Sequence, residues 1–406
     1  MSLRARLDTL RRQAGTDDAP ERGGDDALRE RLRRLDGGRR RPGAAAGPVP
    51  AADVAACVGG EVVADSLVRV RQRIPLESAH GHVALGRVGD AVALPGVGAF
   101  PGRSAVFIDT ETSGLAGGTG TVAYLGGLAR LDGTALALEQ YLITAFAGEA
   151  AMLAAVRDAL GGDDVLVSYN GKSFDAPLLR DRFRLARQYH PLERTGHADL
   201  LHPVRRLFRR TWPDCRLATA EARLLGFRRD DDLPGNQAPL VWSELLHGGT
   251  TERLPAVLDH NRRDLLSLAA LWPVLGEVFA EPARWGACSR AAARAWYMSG
   301  DERRARAVLE AAPALDAPGR HELARLRRRA GDWAGARAIW QGLAEAGDAH
   351  AAEALAKYHE HVRRDWQGAL AWTSRLPAGA EETERRRERL ARKRGRDGAQ
   401  GDLFPR

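Results

Sequence analysis

"VFIDTETSGL", residues 106–115, places Asp109 and Glu111 two positions apart, directly after a run of apolar residues. Side chains at positions i and i+2 of a strand share one face, so the two carboxylates lie close together if this run is a strand. Neighbouring like charges disfavour each other's ionisation unless a cation joins them. The pair therefore either caps a strand end that is open to solvent or forms part of a cation site.

The length of 406 residues exceeds one ordinary core and predicts two domains with tails. Hydrophobic residues make up 44% of the chain, yet no apolar run approaches the roughly 20 residues of a membrane span, and no signal-peptide pattern is present. Cys57, Cys215 and Cys288 have no metal-type spacing. We expect a reduced, cytoplasmic protein that does not bind membranes.

The net charge of +8 favours a nucleic-acid partner, because clustered cations gain affinity by releasing counterions from phosphates. Arginine greatly outnumbers lysine, and alanine and glycine are abundant, so a compositional bias of the genome explains the charge equally well. Charge alone does not decide between these explanations.

The texture of the sequence divides the chain into four regions. Residues 1–62, rich in charge and in Ala, Gly and Pro, are predicted to be mostly disordered with room for one short helix. We predict an α/β domain at 65–280, a helical-repeat domain at 285–378 and a basic tail that starts as a helix at 380–406.

Strand-like and helical patterns alternate in the second region. "SAVFIDTETS", "TVAYLGGLARL" and "ALALEQYLI" are three consecutive strand candidates, followed by a helix near 148–160, the strand "VLVSYN" and a helix that starts near Asp175. Three adjacent strands followed by alternating elements predict an α/β fold with a mixed sheet and flanking helices.

The third region is helical and repetitive. Asp301, Asp332 and Asp365 occupy equivalent places in similar segments, 31 and 33 residues apart, close to the period of tetratricopeptide repeats. An Ala-rich helical sequence also produces accidental matches of this kind. The pattern predicts an all-α domain that offers a surface to a protein partner.

A second acidic position follows the strand "VLV", where Asn170 and Gly171 form a turn and Asp175 opens a helix. Asp175 is either an N-cap or a carboxylate delivered to the sheet edge at which Asp109 emerges. Phe174 either supports a base or sugar or fills the core, and Lys172 either contacts a phosphate or is a solvated loop residue. We take Asn170, Lys172 and Phe174 as candidate substrate contacts.

A third group lies in "VLDHNRRDLLSLAALW", where His260 and Asp264 are four residues apart and therefore share one helical face. Beside them Leu265, Leu268, Ala269 and Trp272 form a buried stripe. The alternative is a surface His–Asp pair of small energetic consequence.

Asp109, Glu111, Asp175 and Asp264 together supply the oxygen-rich ligation that Mg²⁺ or Mn²⁺ prefers. Two such ions about 3.5–4 Å apart activate water and stabilise the leaving oxygen of a phosphodiester. A further positive group, Arg205, Arg206, Arg209 and Arg210, is the best candidate for contacting a nucleic-acid backbone, although a solvated helix face explains it nearly as well.

The sequence resembles the DEDD exonucleases of the ribonuclease H-like superfamily in three motifs. These are D-x-E on a first strand, N-G-x-x-F-D at a strand-to-helix junction, and a late helix with an acid four residues after a His. The match is closest to the bacterial YprB-like proteins and covers about residues 65–280. The resemblance implies a mixed five-stranded sheet, helical repeats behind the nuclease domain, and removal of nucleotides from 3′ ends with two metal ions.

One feature departs from the family pattern. The His-bearing subclass places its His five residues before the last Asp, whereas His260 has the four-residue spacing of the tyrosine-bearing subclass. His260 either orients the attacking water and accepts its proton or only bonds to Asp264 or to the phosphate.

The sequence is also compatible with two other functions: a non-catalytic adaptor that binds nucleic acid and docks a protein through its helical repeats, and a ribonuclease H-type endonuclease. The choice between DNA and RNA depends on a 2′-hydroxyl contact that no residue type announces.

Overall fold

The computed structural model describes residues 49–401 except 91, 100–104, 115–119, 162–163, 194, 378 and 380. The chain divides into two compact units, Met1–Val278 and Phe279–Arg406. Within the region 1–62, predicted to be mostly disordered with room for one short helix, Ala51–Val58 form helix α1. The side chains of Val54 and Ala55 give α1 an apolar face that is buried in the core of the first unit. Residues 1–48 lie outside the described residues.

Eleven strands are found in the described part of the first unit. Their bounds are β1 Glu61–Ala64, β2 Leu67–Pro75, β3 Ala79–His80, β4 Val83–Ala84, β5 Ala93–Leu94, β6 Gly98–Ala99, β7 Ala105–Thr112, β8 Ala123–Asp132, β9 Ala135–Ile143, β10 Val165–Ser168 and β11 Gly196–Asp199. Seven of them form one sheet in the order β1-β2-β9-β8-β7-β10-β11, and β3–β4 and β5–β6 form two small ribbons.

The large sheet is mixed, as predicted. Strand β7 pairs antiparallel with β8 and parallel with β10, and β11 continues the parallel side. Five strands, β9-β8-β7-β10-β11, make up the predicted sheet, and β1 and β2 extend it beyond β9. The buried residues Val106, Phe107 and Ile108 hold β7 in the centre, so its polar end lies in the middle of the sheet edge.

Helices flank this sheet. Their bounds are α2 Glu149–Asp158, α3 Asp175–Leu185, α4 Leu201–Phe208, α5 Leu217–Ala220, α6 Ala238–Leu246 and α7 Leu254–Ala280, with a π-helical segment at Glu221–Leu225. The predicted stripe on α7 is confirmed, because Leu265, Leu268, Ala269 and Trp272 are all buried. His260 and Asp264 lie on the face of α7 that adjoins this stripe.

The second unit is all helical in its described residues. Its helices are α8 Ser289–Met298, α9 Glu302–Glu310, α10 Ala317–Arg329, α11 Trp333–Glu345, α12 Ala349–Tyr358, α13 Trp366–Thr373 and α14 Glu381–Gly401. The repeated Asp301, Asp332 and Asp365 are N-caps of α9, α11 and α13, each accepting a backbone N–H three residues on. Helix α14 is the helical start of the predicted basic tail.

None of the helices among the described residues combines the length and the apolar character that crossing a bilayer requires.

Candidate metal centre

The carboxyl ends of β7, β10 and β11 meet at one edge of the sheet because these strands are parallel. Asp109 and Glu111 emerge there from β7, and Asp175 is the first residue of α3. The hydroxyl of Thr110 donates a hydrogen bond to Asp175 Oδ1. Asp175 therefore faces β7, and the residue at the N-cap position is Phe174, whose side chain makes no capping bond.

The turn before Asp175 is fixed by a buried acid. Asp199, 4% exposed, accepts the backbone N–H of Asn170 at 2.7 Å, of Lys172 at 3.0 Å and of Leu201 at 3.0 Å. A Cβ on Gly171 would lie 2.3 Å from Ser168 Oγ, so only glycine fits. Asp199 thus supports the loop that delivers Asp175.

The three candidate substrate contacts of this turn differ in exposure. Lys172 is exposed, Phe174 is 50% exposed next to Asp175, and Asn170 is partly buried with φ of 68°. Phe174 therefore does not fill the core.

Helix α7 is bonded to β7 through Asn261, which is fully buried. Its side-chain amide donates to Asp109 Oδ2 at 2.8 Å and to the Asp109 carbonyl at 3.2 Å. Gln140 on β9 donates in turn to Asn261 Oδ1 at 2.9 Å. This chain of bonds sets the position of α7 on the sheet and the rotamer of Asp109.

Glu111, His260 and Asp264 come together above the sheet edge, with ligand atoms all within 4.8 Å of one another. His260 Nε2 lies 3.8 Å from Glu111 Oε1 and 3.8 Å from Asp264 Oδ2, so His260 makes no hydrogen bond to Asp264. Its Nδ1 instead lies 2.9 Å from both carboxylate oxygens of Asp232.

Burial, helped by nearby negative charge, raises the pKa of all four predicted ligands. Burial, and then the charges of Asp264 and Glu111, raise the pKa of Asp109 well above its ordinary range. Burial raises the pKa of Glu111 to about 7, against the opposing charge of His260.

Asp175 and Asp264 shift in the same direction. Burial raises the pKa of Asp175 to about 6 although the Thr110 hydroxyl stabilises its ionised form, and burial raises the pKa of Asp264 although Arg229 opposes this. Carboxylates that are costly to ionise together are the donor set that a hard divalent cation stabilises, so these residues fit Mg²⁺ or Mn²⁺.

The pKa of His260 is raised as well. Burial works in the other direction, but the charge of Asp264 and the hydrogen bond to Asp232 outweigh it.

The four arginines of the predicted phosphate-binding group lie on and just after α4, which begins beyond β11. Arg206, Arg209 and Arg210 are exposed and Arg205 is partly buried. Just after this group, Trp212 stacks on Phe208, with ring centroids 4.0 Å apart.

Several polar residues at the site are not predicted from the sequence: Thr110, Asn261, Arg229, Asp232 and Glu221. Asn261 is adjacent to His260, but an amide in a charged helix has no distinctive pattern. Arg229 and Asp232 lie in "RRDDD", which looks like a solvated loop. Only their spatial neighbours reveal them.

Comparison with known proteins identifies the family. Residues 106–275 match the model of RNase_H_2, described as RNase_H superfamily. The chain is also 31% identical over 308 residues to "Uncharacterized protein YprB" of Bacillus subtilis (strain 168), across 70% of this chain and 73% of that protein. The chain belongs to the YprB family.

Two solved structures are similar to parts of this chain. One is titled "The structure of exonuclease I suggests how processivity is achieved", with 14% identity, a TM-score of 0.30 and coverage of 44% of this chain and 43% of that one. The other is the family B DNA polymerase of Pyrobaculum calidifontis, with 13% identity, a TM-score of 0.35 and coverage of 68% and 35%. The chain thus spans less than half of each.

Proposed function

We propose that this protein is a metal-dependent 3′–5′ exonuclease that hydrolyses phosphodiester bonds of single-stranded nucleic acid. The observation that supports this most is the cluster of Glu111, His260 and Asp264 beside the buried Asp109, whose pKa is raised by burial and then by the charges of Asp264, Glu111 and Asp175. Membership of the RNase_H superfamily supports a nuclease. The arginines after β11 and the exposed ring of Phe174 are the proposed contacts to backbone and base.

Two Mg²⁺ or Mn²⁺ ions would be held by the four acids Asp109, Glu111, Asp175 and Asp264. Bound there, the ions supply a more acidic water and stabilise negative charge on the phosphate and leaving oxygens. Asn261 and Thr110 keep Asp109 and Asp175 in place. His260, whose Nε2 faces the acids while Asp232 occupies Nδ1, accepts the proton of the attacking water.

The test uses single-stranded and double-stranded DNA and RNA oligonucleotides of matched sequence, labelled at the 5′ end, with Mg²⁺ or Mn²⁺. We expect the wild type to shorten the substrate progressively from its 3′ end. We expect the rate of Asp109→Asn to be lower by at least about 100-fold, because loss of one group that stabilises charge in the transition state typically has an effect of this size.

Asp259→Asn is the matched control. Asp259 neighbours His260 on α7 but pairs with Arg262 and Arg263, away from the acids. Equal rates for wild type and Asp109→Asn would refute the proposal. Mid-length fragments would show an endonuclease instead, and unchanged substrate with measurable binding would show the adaptor.

A further inference from the structure

We infer that Arg229 and Asp232, in the loop between the π-helical segment and α6, are positioning residues that fix Asp264 and the tautomer of His260. The inference rests on the proposed function, since it assigns roles around the same reactive centre. Its support is independent: a continuous set of hydrogen bonds reaches from the buried core to both residues.

The network begins at a fully buried carboxylate, Glu221. Glu221 accepts a hydrogen bond from the hydroxyl of Ser267 on α7, and Ser267 Oγ lies 2.8 Å from His80 Nε2. Because the only hydroxyl proton of Ser267 is given to Glu221, His80 donates from Nε2 to Ser267 Oγ. Glu221 is thereby fixed in one rotamer, with both oxygens turned to Arg229.

Arg229 joins three acids with one guanidinium group. It donates from Nε to Glu221 Oε2 at 2.8 Å, from Nη1 to Asp232 Oδ2 at 3.0 Å, and from Nη2 to Asp264 Oδ1. Its side chain is only 11% exposed. The planar guanidinium group gives these bonds fixed directions, which a lysine ammonium group does not.

The contact to Asp264 decides which oxygen faces the candidate metal centre. Arg229 occupies Oδ1, so Oδ2 is turned towards His260 Nε2, 3.8 Å away, and towards Glu111. Arg229 is the one hydrogen-bond donor to Asp264 Oδ1 among the described residues, so it sets the orientation of this carboxylate.

The contact to Asp232 decides the tautomer of His260. Asp232 is an acceptor only, and its two oxygens lie 2.9 Å from Nδ1, so the neutral ring carries its proton on Nδ1. Nε2 then presents a lone pair to Glu111 and Asp264. That is the form of the ring that accepts a proton from a water at the centre.

Asp232→Asn gives a sharp prediction. The donor Nη1 of Arg229 would hold the amide oxygen of Asn in the place of Oδ2, so the NH₂ group would replace Oδ1, which lies 2.9 Å from His260 Nδ1. We expect this NH₂ group to donate to Nδ1, and the ring proton to move to Nε2. Proton-detected ¹⁵N spectra of histidine-labelled full chain, without metal and at a pH where the ring is neutral, distinguish the two tautomers.

We expect the His260 signals to change from the Nδ1–H to the Nε2–H pattern, and kcat on a 5′-labelled oligonucleotide to fall 10- to 100-fold with KM within twofold. In a His260→Ala background the same substitution should change kcat by less than twofold, which a general structural defect would not produce. Asp230→Asn is the matched control, since Asp230 is an exposed neighbour in the loop.

Arg229→Lys tests the contact between Arg229 and Asp264. We expect Mn²⁺ affinity of the full chain, measured by calorimetry, to fall 10- to 100-fold, whereas Arg228→Gln at the exposed neighbouring position leaves it unchanged. An unchanged His260 tautomer in Asp232→Asn, or unchanged Mn²⁺ affinity in Arg229→Lys, overturns the inference. Both measurements need no substrate, so an inactive wild type would refute only the proposed function.

Discussion

Gly127 on β8 lies opposite Asp109 on β7 and leaves room for a buried side chain of α7. A Cβ at this position would come within 2.1 Å of Asn261 Oδ1 and 2.9 Å of Leu265 Cδ1. The absent methyl group is therefore what allows Asn261 to reach Asp109. The lack of a Cβ at Gly127 therefore affects both the packing of α7 on the sheet and the position of the Asp109 carboxylate.

Gly127→Ala should displace Asn261, lower the free energy of unfolding by about 1–3 kcal/mol through overpacking, and weaken Mn²⁺ binding because Asp109 loses its bond. Gly126→Ala is the matched control: its Cβ would lie 3.6 Å from Val156, an ordinary contact. Urea unfolding and Mn²⁺ calorimetry on both variants check this. A Gly127→Ala protein as stable and as tight a binder as Gly126→Ala would contradict it.

The sequence predicts single residues well where a local rule applies. Asp109 and Glu111 follow from strand periodicity, and His260 and Asp264 from helical periodicity. Gly127, Arg229 and Asp232 follow from no local rule, because each acts on the site through a partner more than 25 positions away: Asn261, Asp264 and His260, respectively. Long-range pairing of this kind is not encoded in spacing.

At the scale of elements, the strands around Asp109 are predicted and β1 and β2 are not. The segment "LVRVRQRIP" of β2 alternates apolar residues with arginines, and its charged side chains look solvated. In the structure they pair across neighbouring strands, Arg69 with Glu61 and Arg71 with Glu139. Cross-strand charge pairs extend the sheet without any continuous apolar run.

The repeated aspartates of the second unit act at this scale too. Asp332 Oδ1 accepts the N–H of Gly335 at 2.8 Å at the start of α11. Asp332→Ala should lower the free energy of unfolding of this unit by about 1 kcal/mol, whereas Asp332→Ser, which retains an N-cap oxygen, should lose clearly less. Denaturant unfolding followed by far-UV circular dichroism provides the measurement, and equal losses in both variants would exclude the capping role.

At the scale of the whole molecule, the two units balance buried charge differently. In the second unit Glu360 is 2% exposed; burial alone would raise its pKa, but hydrogen bonds from Arg389 and Lys393 on α14 lower it. In the first unit the acids at the sheet edge are buried without enough positive charge, and their pKa values are raised. The candidate centre thus costs stability that a bound cation would restore.

Glu111→Gln tests this balance in the full chain. A carboxyl whose folded pKa is raised from 4.5 to about 7 stabilises the fold below pH 4.5 and loses that contribution as pH rises to about 7. In EDTA at pH 8 the variant should therefore melt at a higher temperature than wild type in the transition of Met1–Val278, and at pH 4 the two should coincide. His80 and His197, whose pKa values burial lowers to about 4, titrate in the opposite sense but equally in both proteins.

Differential scanning calorimetry measures both transitions, with Glu252→Gln, at an exposed position, as the matched control. The transition of Phe279–Arg406 should not respond to the substitution, because Glu111 belongs to the other unit. Added Mn²⁺ should raise the melting temperature of Met1–Val278 in wild type and raise it much less in Glu111→Gln, since a neutral amide is a poor ligand. If wild type is the more stable protein in EDTA at pH 8, the charge of Glu111 is already compensated within the fold, and the acids would not need a cation.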